Sequence, residues 1–183
     1  GMAFSAKYRD TDEVAVCYFG EAAVNNGAFH EALNMAALWK LPAVFIVENN
    51  GYGMGTALAR ASSLLDLAHR AYSYEMAEEV VDGQDVFAVR SAMDRAVERA
   101  RLESLPTLLE MRTYRYVGHS MSDAAHGTYR SKEEVEEFRQ RDPIKLLEKH
   151  MVGAGMIDEA GVKALDQEIM AEVEDAVTFA EES

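Results

Sequence analysis

A chain of 183 residues, 49% hydrophobic and 27% charged, is long enough for one domain with a sizeable core and too apolar for disorder. Its net charge of −14, from 18 Lys and Arg against 32 Asp and Glu, repels a phosphate backbone and argues against a nucleic-acid partner. No apolar run reaches the roughly 18 residues of a membrane helix and no signal peptide is visible, so a soluble chain is expected.

Gly1 to Tyr8 reads as the middle of a small-residue helix with no start signal, so the chain is expected to begin inside a longer protein. Apolar, β-branched or aromatic runs follow at about 13–19, 43–48, 79–82 and 107–114, alternating with helical patterns at about 26–39, 60–71, 84–102 and 132–181. That alternation predicts an α/β fold: a mostly parallel sheet with helices on both faces, followed by a C-terminal helical extension. The first two runs are nearly continuous in apolar residues, as central strands buried on both faces should be. Cys17, the single cysteine, lies in the first of them and is expected to be a buried small hydrophobe in a reducing compartment.

Pro42 stops one helix before the second strand. Asp82 or Gln84, beside Gly83, is expected to open the long helix that ends near Leu102. The polar and aromatic stretch from Tyr114 to Tyr129 has no clear period and reads as a long loop. Lys132 to Arg139 and Pro143 to His150 read as helices, and a final amphipathic helix from about Asp158 carries Glu168, Glu172, Glu174 and Asp175 on its polar face. The expected organisation is an α/β domain over 1–131 and C-terminal helices over 132–183 packed on it.

Open parallel sheets bind ligands at the carboxyl ends of their strands. The first strand ends in Gly20-Glu21-Ala22-Ala23-Val24-Asn25-Asn26-Gly27 and the second in Glu48-Asn49-Asn50-Gly51-Tyr52-Gly53. A carboxylate, an amide oxygen and a backbone carbonyl form a hard-oxygen set suited to Mg²⁺, which keeps phosphate oxygens and water as its other ligands. The helix opening after Asn26 turns its positive end toward an anion, so a metal-bridged diphosphate is the natural occupant. A Gly-x-Gly-x-x-Gly fingerprint of a dinucleotide site is missing.

From Val14 to Thr56 the chain resembles the α subunits of thiamine-diphosphate-dependent 2-oxo acid dehydrogenases, above all in Asn34-Met35-Ala36-Ala37-Leu38-Trp39-Lys40-Leu41-Pro42 and Glu48-Asn49-Asn50-Gly51-Tyr52. The likeness continues through Val81-Asp82-Gly83-Gln84-Asp85, Glu110 to Arg115, Gly118-His119-Ser120-Met121-Ser122-Asp123 and Tyr129-Arg130. It implies thiamine diphosphate and Mg²⁺ as cofactors, with Gly20, Glu21, Ala22 and Ala23 at the diphosphate. Glu21 and Asn50 would ligate the metal by side chain, and Tyr52 by its carbonyl. His119 would lie beside the diphosphate and the substrate channel as the catalytic candidate, and His69 and His126 match nothing with a role. The resemblance also implies a β subunit in an α₂β₂ assembly, whose glutamate acts on the aminopyrimidine. A 2-oxo acid is decarboxylated and its acyl group passes to a dihydrolipoyl acyltransferase core. Pyruvate members resemble the chain most; branched-chain and acetoin members are alternatives. Bacterial cytoplasm and mitochondrial matrix both fit, and in mitochondrial members serines placed like Ser120 and Ser122 carry phosphorylation control.

Four departures from the family pattern are expected to matter. Glu21 replaces an Asp, Ala22 a Gly and Asn26 a Gln, while Glu75-Met76-Ala77-Glu78 replaces a Gly-Ile-Pro-Gly turn. They motivate a rival reading, a degenerate α-like subunit that assembles without catalysing.

Overall fold

The computed structural model describes residues 1–121, 123 and 129–183. Ser122 and His126 lie outside them. Two compact units are present, Gly1–Gln140 and Arg141–Ser183.

The first unit is built on four parallel strands, β1 (Ala15–Gly20), β2 (Ala43–Asn49), β5 (Ala77–Asp82) and β6 (Thr107–Arg112), in the spatial order β1-β2-β6-β5. The two central strands carry the apolar runs that parallel pairing demands: Val44, Ile46 and Val47 of β2 and Leu108 and Leu109 of β6 are all fully buried. A hairpin of β3 (Tyr52–Gly53) and β4 (Thr56–Ala57) stands apart from this sheet. Among the described residues the unit has five α-helices: α1 (Met2–Tyr8), α2 (Gly27–Leu38), the single turn α3 (Leu58–Ala61), α4 (Val86–Glu103) and α5 (Lys132–Arg139).

Helices cover both faces, as expected. On one face Phe29 and Leu33 of α2 pack with Val24, Val47, Leu67, Ala71 and Leu108. On the other, Ala92 and Ala96 of α4 lie against Val44, Ile46, Val81 and Leu109. Alanines at i and i+4 let the helix axis approach the sheet closely.

Three expectations are corrected. β1 is an edge strand, with Val16 and Tyr18 40% and 62% exposed, and Cys17 is exposed rather than buried. An apolar run specifies a strand but not its place in the sheet, and an edge strand has a pairing neighbour on one side only. The pattern at 60–71 is not one α-helix but α3 followed by 3₁₀ turns over Leu67–Tyr74. Buried Leu67, Ala68 and Ala71 satisfy either helical period. The long helix α4 is opened by Asp85, whose carboxylate accepts from the Phe87 and Ala88 amides at 2.9 and 3.2 Å. Asp82 instead closes the turn before it, accepting from the Gln84 amide at 3.0 Å.

At the altered turn Glu75 takes a left-handed backbone, φ 51° and ψ 34°, which glycine adopts without strain. Glu75 thus carries a side chain in a conformation that costs roughly 1–2 kcal/mol.

In the second unit α6 (Pro143–Gly153) is opened by Asp142 and by Pro143 in its first turn, and α7 (Glu159–Glu182) by Asp158, which accepts from the Gly161 amide at 2.7 Å. No helix among the described residues is long and apolar enough to cross a membrane.

Candidate cofactor and metal site

The parallel register sets Gly20 opposite Glu48, so β1 and β2 end side by side. Beyond β1 the chain turns through a 3₁₀ segment, Glu21–Asn25, and Asn26 caps α2 by accepting from the Ala28 amide at 2.9 Å. Arg70 ties this turn down, donating to the Val24 carbonyl at 3.3 Å and to Asn25 Oδ1 at 2.9 Å.

Glu21 is 3% exposed, and its Oε2 accepts one long hydrogen bond, 3.4 Å, from the Asn50 amide. Its Oε1 has no donor among the described residues. Neither Glu21 oxygen is among the fully enclosed unpaired atoms of the described residues, so the lone pairs left over by this one long bond are open to a cation. Asn50 Oδ1 accepts from the Tyr52 amide at 3.2 Å, an Asx turn that leaves the oxygen a second lone pair. Among the described residues no three His, Cys, Asp or Glu side chains gather as metal ligands. The donor set at Glu21, Asn50 and Tyr52 is a different kind, one carboxylate with neutral oxygens, and it matches a cation that keeps phosphate and water ligands.

Ala22 and Ala23 are exposed beside Glu21, and the methyl group of Ala22 lies against the hairpin: a Cβ added at Gly53 would sit 2.8 Å from it. Gly53 thus provides the space that the Ala22 methyl occupies.

His119 stands on the segment that follows β6. Its amide donates to Asp123 Oδ2 at 2.8 Å, and Arg115 Nη1 lies 3.3 Å from its Nδ1, which suits the tautomer with Nδ1 accepting. The Tyr129 hydroxyl donates to the same Asp123 oxygen at 2.6 Å. That bond first, and the His119 amide second, hold the Asp123 carboxyl below the usual range. Arg115 also donates to the Met54 carbonyl at 2.9 Å, and the Tyr129 ring lies 5.4 Å from that of Tyr52. The hairpin that begins at Tyr52 and the His119 segment are therefore neighbours. Glu21, Asn50 and Tyr52 are brought together directly, and His119 is joined to them through Arg115 and Tyr129.

Sequence reasoning passed over two acids that organise this region. Glu110 on β6 is fully buried, accepting from Asn49 Nδ2 at 2.7 Å, the Ala68 amide at 3.0 Å and Arg112 Nε at 3.4 Å. Asn49 in turn accepts from the Gly51 amide at 3.0 Å. The signal was an acid inside the apolar run Thr107-Leu108-Leu109-Glu110-Met111, a position rarely charged without partners. Glu134 on α5 accepts from the Tyr114 hydroxyl at 2.9 Å and from that of Tyr52 at 3.1 Å. Nothing in its sequence surroundings, Lys132-Glu133-Glu134-Val135-Glu136-Glu137, separates it from its solvated neighbours.

The architecture is that of a parallel α/β domain with polar oxygens gathered at adjoining strand ends, and the family described as "Dehydrogenase E1 component" matches residues 1–183. The chain belongs to that family. It is 47% identical to the pyruvate dehydrogenase E1 component subunit alpha of Rhizobium meliloti over 99% of its own length and 52% of the relative's. It is 44% identical to the subunit of the same name from Rickettsia conorii, over 100% of this chain and 56% of that one. The subunit alpha of acetoin:2,6-dichlorophenolindophenol oxidoreductase from Bacillus subtilis is 42% identical, over 100% and 54%. The chain spans about half the length of the curated relatives it matches.

Proposed function

We propose that this chain carries the metal-binding part of the α subunit of a thiamine-diphosphate- and Mg²⁺-dependent dehydrogenase that decarboxylates pyruvate and passes the acetyl group to a lipoyl acyltransferase, working in an α₂β₂ assembly with a β subunit. The observation that carries the reading is the Glu21 carboxylate, 3% exposed and accepting a single long hydrogen bond from the Asn50 amide, at the adjoining ends of β1 and β2. In this reading the Glu21 carboxylate, the Asn50 side-chain oxygen and the Tyr52 carbonyl hold Mg²⁺. Gly20, Ala22 and Ala23 border the diphosphate. Thiamine diphosphate, when bound, supplies the carbon nucleophile and electron sink that decarboxylation requires. His119, held by Asp123 and Arg115, donates a hydrogen bond or proton at Nε2 toward the substrate side.

Two observations weigh against a subunit that has lost activity. The Ala22 methyl has a place against Gly53, and Glu75 takes the left-handed backbone that a glycine adopts without strain. The named relatives supply the substrate choice, pyruvate before acetoin.

The test is reduction of 2,6-dichlorophenolindophenol by the assembled protein with thiamine diphosphate and Mg²⁺, offered pyruvate, branched-chain 2-oxo acids and acetoin in turn. A kcat/KM for pyruvate at least about tenfold above the others, a difference of about 1.4 kcal/mol, is expected. Preference for acetoin overturns the substrate. Turnover of none, in a complex with bound cofactor, overturns the catalytic reading.

A further inference from the structure

The tie at Glu134 joins two segments that the sequence holds far apart. Tyr52 follows Asn50 at the end of β2 and donates its amide to the Asn50 side chain. Tyr114 follows β6 and begins the segment that leads to His119. Both hydroxyls end on one carboxylate, Tyr114 at 2.9 Å and Tyr52 at 3.1 and 3.3 Å.

That carboxylate is rigidly presented. Ser131 caps α5 by accepting from the Glu134 amide at 3.0 Å, fixing the backbone at Glu134. The Tyr114 ring stacks on Phe138 one turn later, with centroids 4.1 Å apart and planes 2° from parallel. Arg130, just before the cap, is 3% exposed and lies 5.9 and 5.0 Å from the ring centres of Tyr114 and Tyr129. It donates to the carbonyls of Arg115 and Val117, the latter at 3.0 Å. Both hydroxyls are donors to the Glu134 carboxylate, which has no proton to give them.

We propose that Glu134 is a positioning residue: by accepting from Tyr52 and Tyr114 together it fixes the Asn50–Tyr52 turn relative to the His119 segment, so that order in either one steadies the other. Two charge-assisted hydrogen bonds to one acceptor make the coupling reciprocal, since each tyrosine finds the carboxylate already held by the other. The consequence for metal affinity rests on the proposed function, because it takes the Asn50 side chain and the Tyr52 carbonyl as ligands. The tie between the two segments does not.

The experiment compares wild type, Tyr52→Phe, Tyr114→Phe, Glu134→Gln and Glu134→Ala in the assembled full chain. Hydrogen exchange is followed by mass spectrometry over residues 50–53 and 113–119, together with the Mg²⁺ concentration for half-maximal thiamine diphosphate binding. Glu134→Ala is expected to speed exchange in both segments by about tenfold or more, the size of one charge-assisted hydrogen bond. Tyr52→Phe speeds exchange at 113–119 and Tyr114→Phe at 50–53, which a purely local packing role would not produce. Glu134→Gln, whose amide oxygen still accepts, moves each less. The half-saturating Mg²⁺ rises about tenfold in Glu134→Ala. Unchanged exchange in the distant segment for either tyrosine variant overturns the proposal, whereas Mg²⁺ half-saturation that stays at the wild-type value in Glu134→Ala overturns its consequence for the metal. Should wild type itself show no Mg²⁺-dependent binding while the exchange pattern appears as described, the tie holds and the assigned function fails.

Discussion

Replacing Glu110 by alanine removes the one acceptor shared by two buried donors, Asn49 Nδ2 at 2.7 Å and the Ala68 amide at 3.0 Å. Each stranded donor costs about 1–3 kcal/mol. Relief from burying a charge returns part of this, because a desolvated carboxylate carries its own penalty. The net loss expected is about 3 kcal/mol, or roughly 6–12 °C in Tm for a chain of this size. Glu110→Gln keeps one acceptor oxygen but turns an NH₂ group toward a donor, and should cost about half as much. Thermal unfolding followed by circular dichroism measures both, and a cycle with Asn49→Ala isolates the pair. The double variant is expected to fall short of the summed single losses by at least about 1 kcal/mol. Strict additivity, or an alanine variant within about 0.5 kcal/mol of wild type, refutes the shared-acceptor reasoning.

Asp85→Ala, which deletes the cap of α4, is expected to lower stability by about 1 kcal/mol in urea titration, whereas Asp82→Ala, outside the cap, leaves α4 closed. Gly53→Ala would place its methyl 2.8 Å from the Ala22 methyl, so it should destabilise by about 1–3 kcal/mol, and Ala22→Gly in the same chain should restore most of the loss. A rescue that fails shows that the hairpin cannot take any side chain at 53. The Tyr114 hydroxyl, pushed up to about 12 by burial and Glu134, is held more tightly by the folded than by the unfolded chain. Its contribution to stability is therefore complete below about pH 10 and lost as pH rises from there to about 12. Phenolate absorbance at 295 nm should show a late-titrating tyrosine that disappears in Tyr114→Phe.

The central strand β2, the helices flanking the sheet and the two facing strand ends were legible in the sequence because each rests on local signals: an apolar run, a period of 3.6, a glycine or asparagine turn. Cys17 was misplaced because its run of apolar neighbours is the same at an edge as in the centre, and only the order β1-β2-β6-β5 decides which. The stretch at about 60–71 was read as one helical pattern because the 3₁₀ turns over Leu67–Tyr74 bury residues at a spacing that fits either period. Asp85 was passed over in favour of Asp82 or Gln84 because all three lie within four residues at the helix start, and the choice turns on backbone geometry. The neighbourhood of Glu21, Asn50 and Tyr52 followed from motif spacing, whereas the ties made by Glu110 and Glu134 pair residues 61 and 82 positions apart. Contacts of that range leave no trace in a local pattern. The small hairpin at Tyr52–Ala57 escaped for the opposite reason: two-residue strands are too short to show a period.

The central claim is that Glu21 and Asn50 hold a metal that bridges a diphosphate. Calorimetric titration of thiamine diphosphate into the full chain co-expressed with the proposed β subunit, with Mg²⁺ and again with EDTA, tests it most directly. Glu21→Ala serves as the control. The account predicts micromolar binding that requires Mg²⁺ and weakens at least about a hundredfold, about 2.8 kcal/mol, in Glu21→Ala. Binding that persists in EDTA, or that Glu21→Ala leaves unchanged, would contradict it.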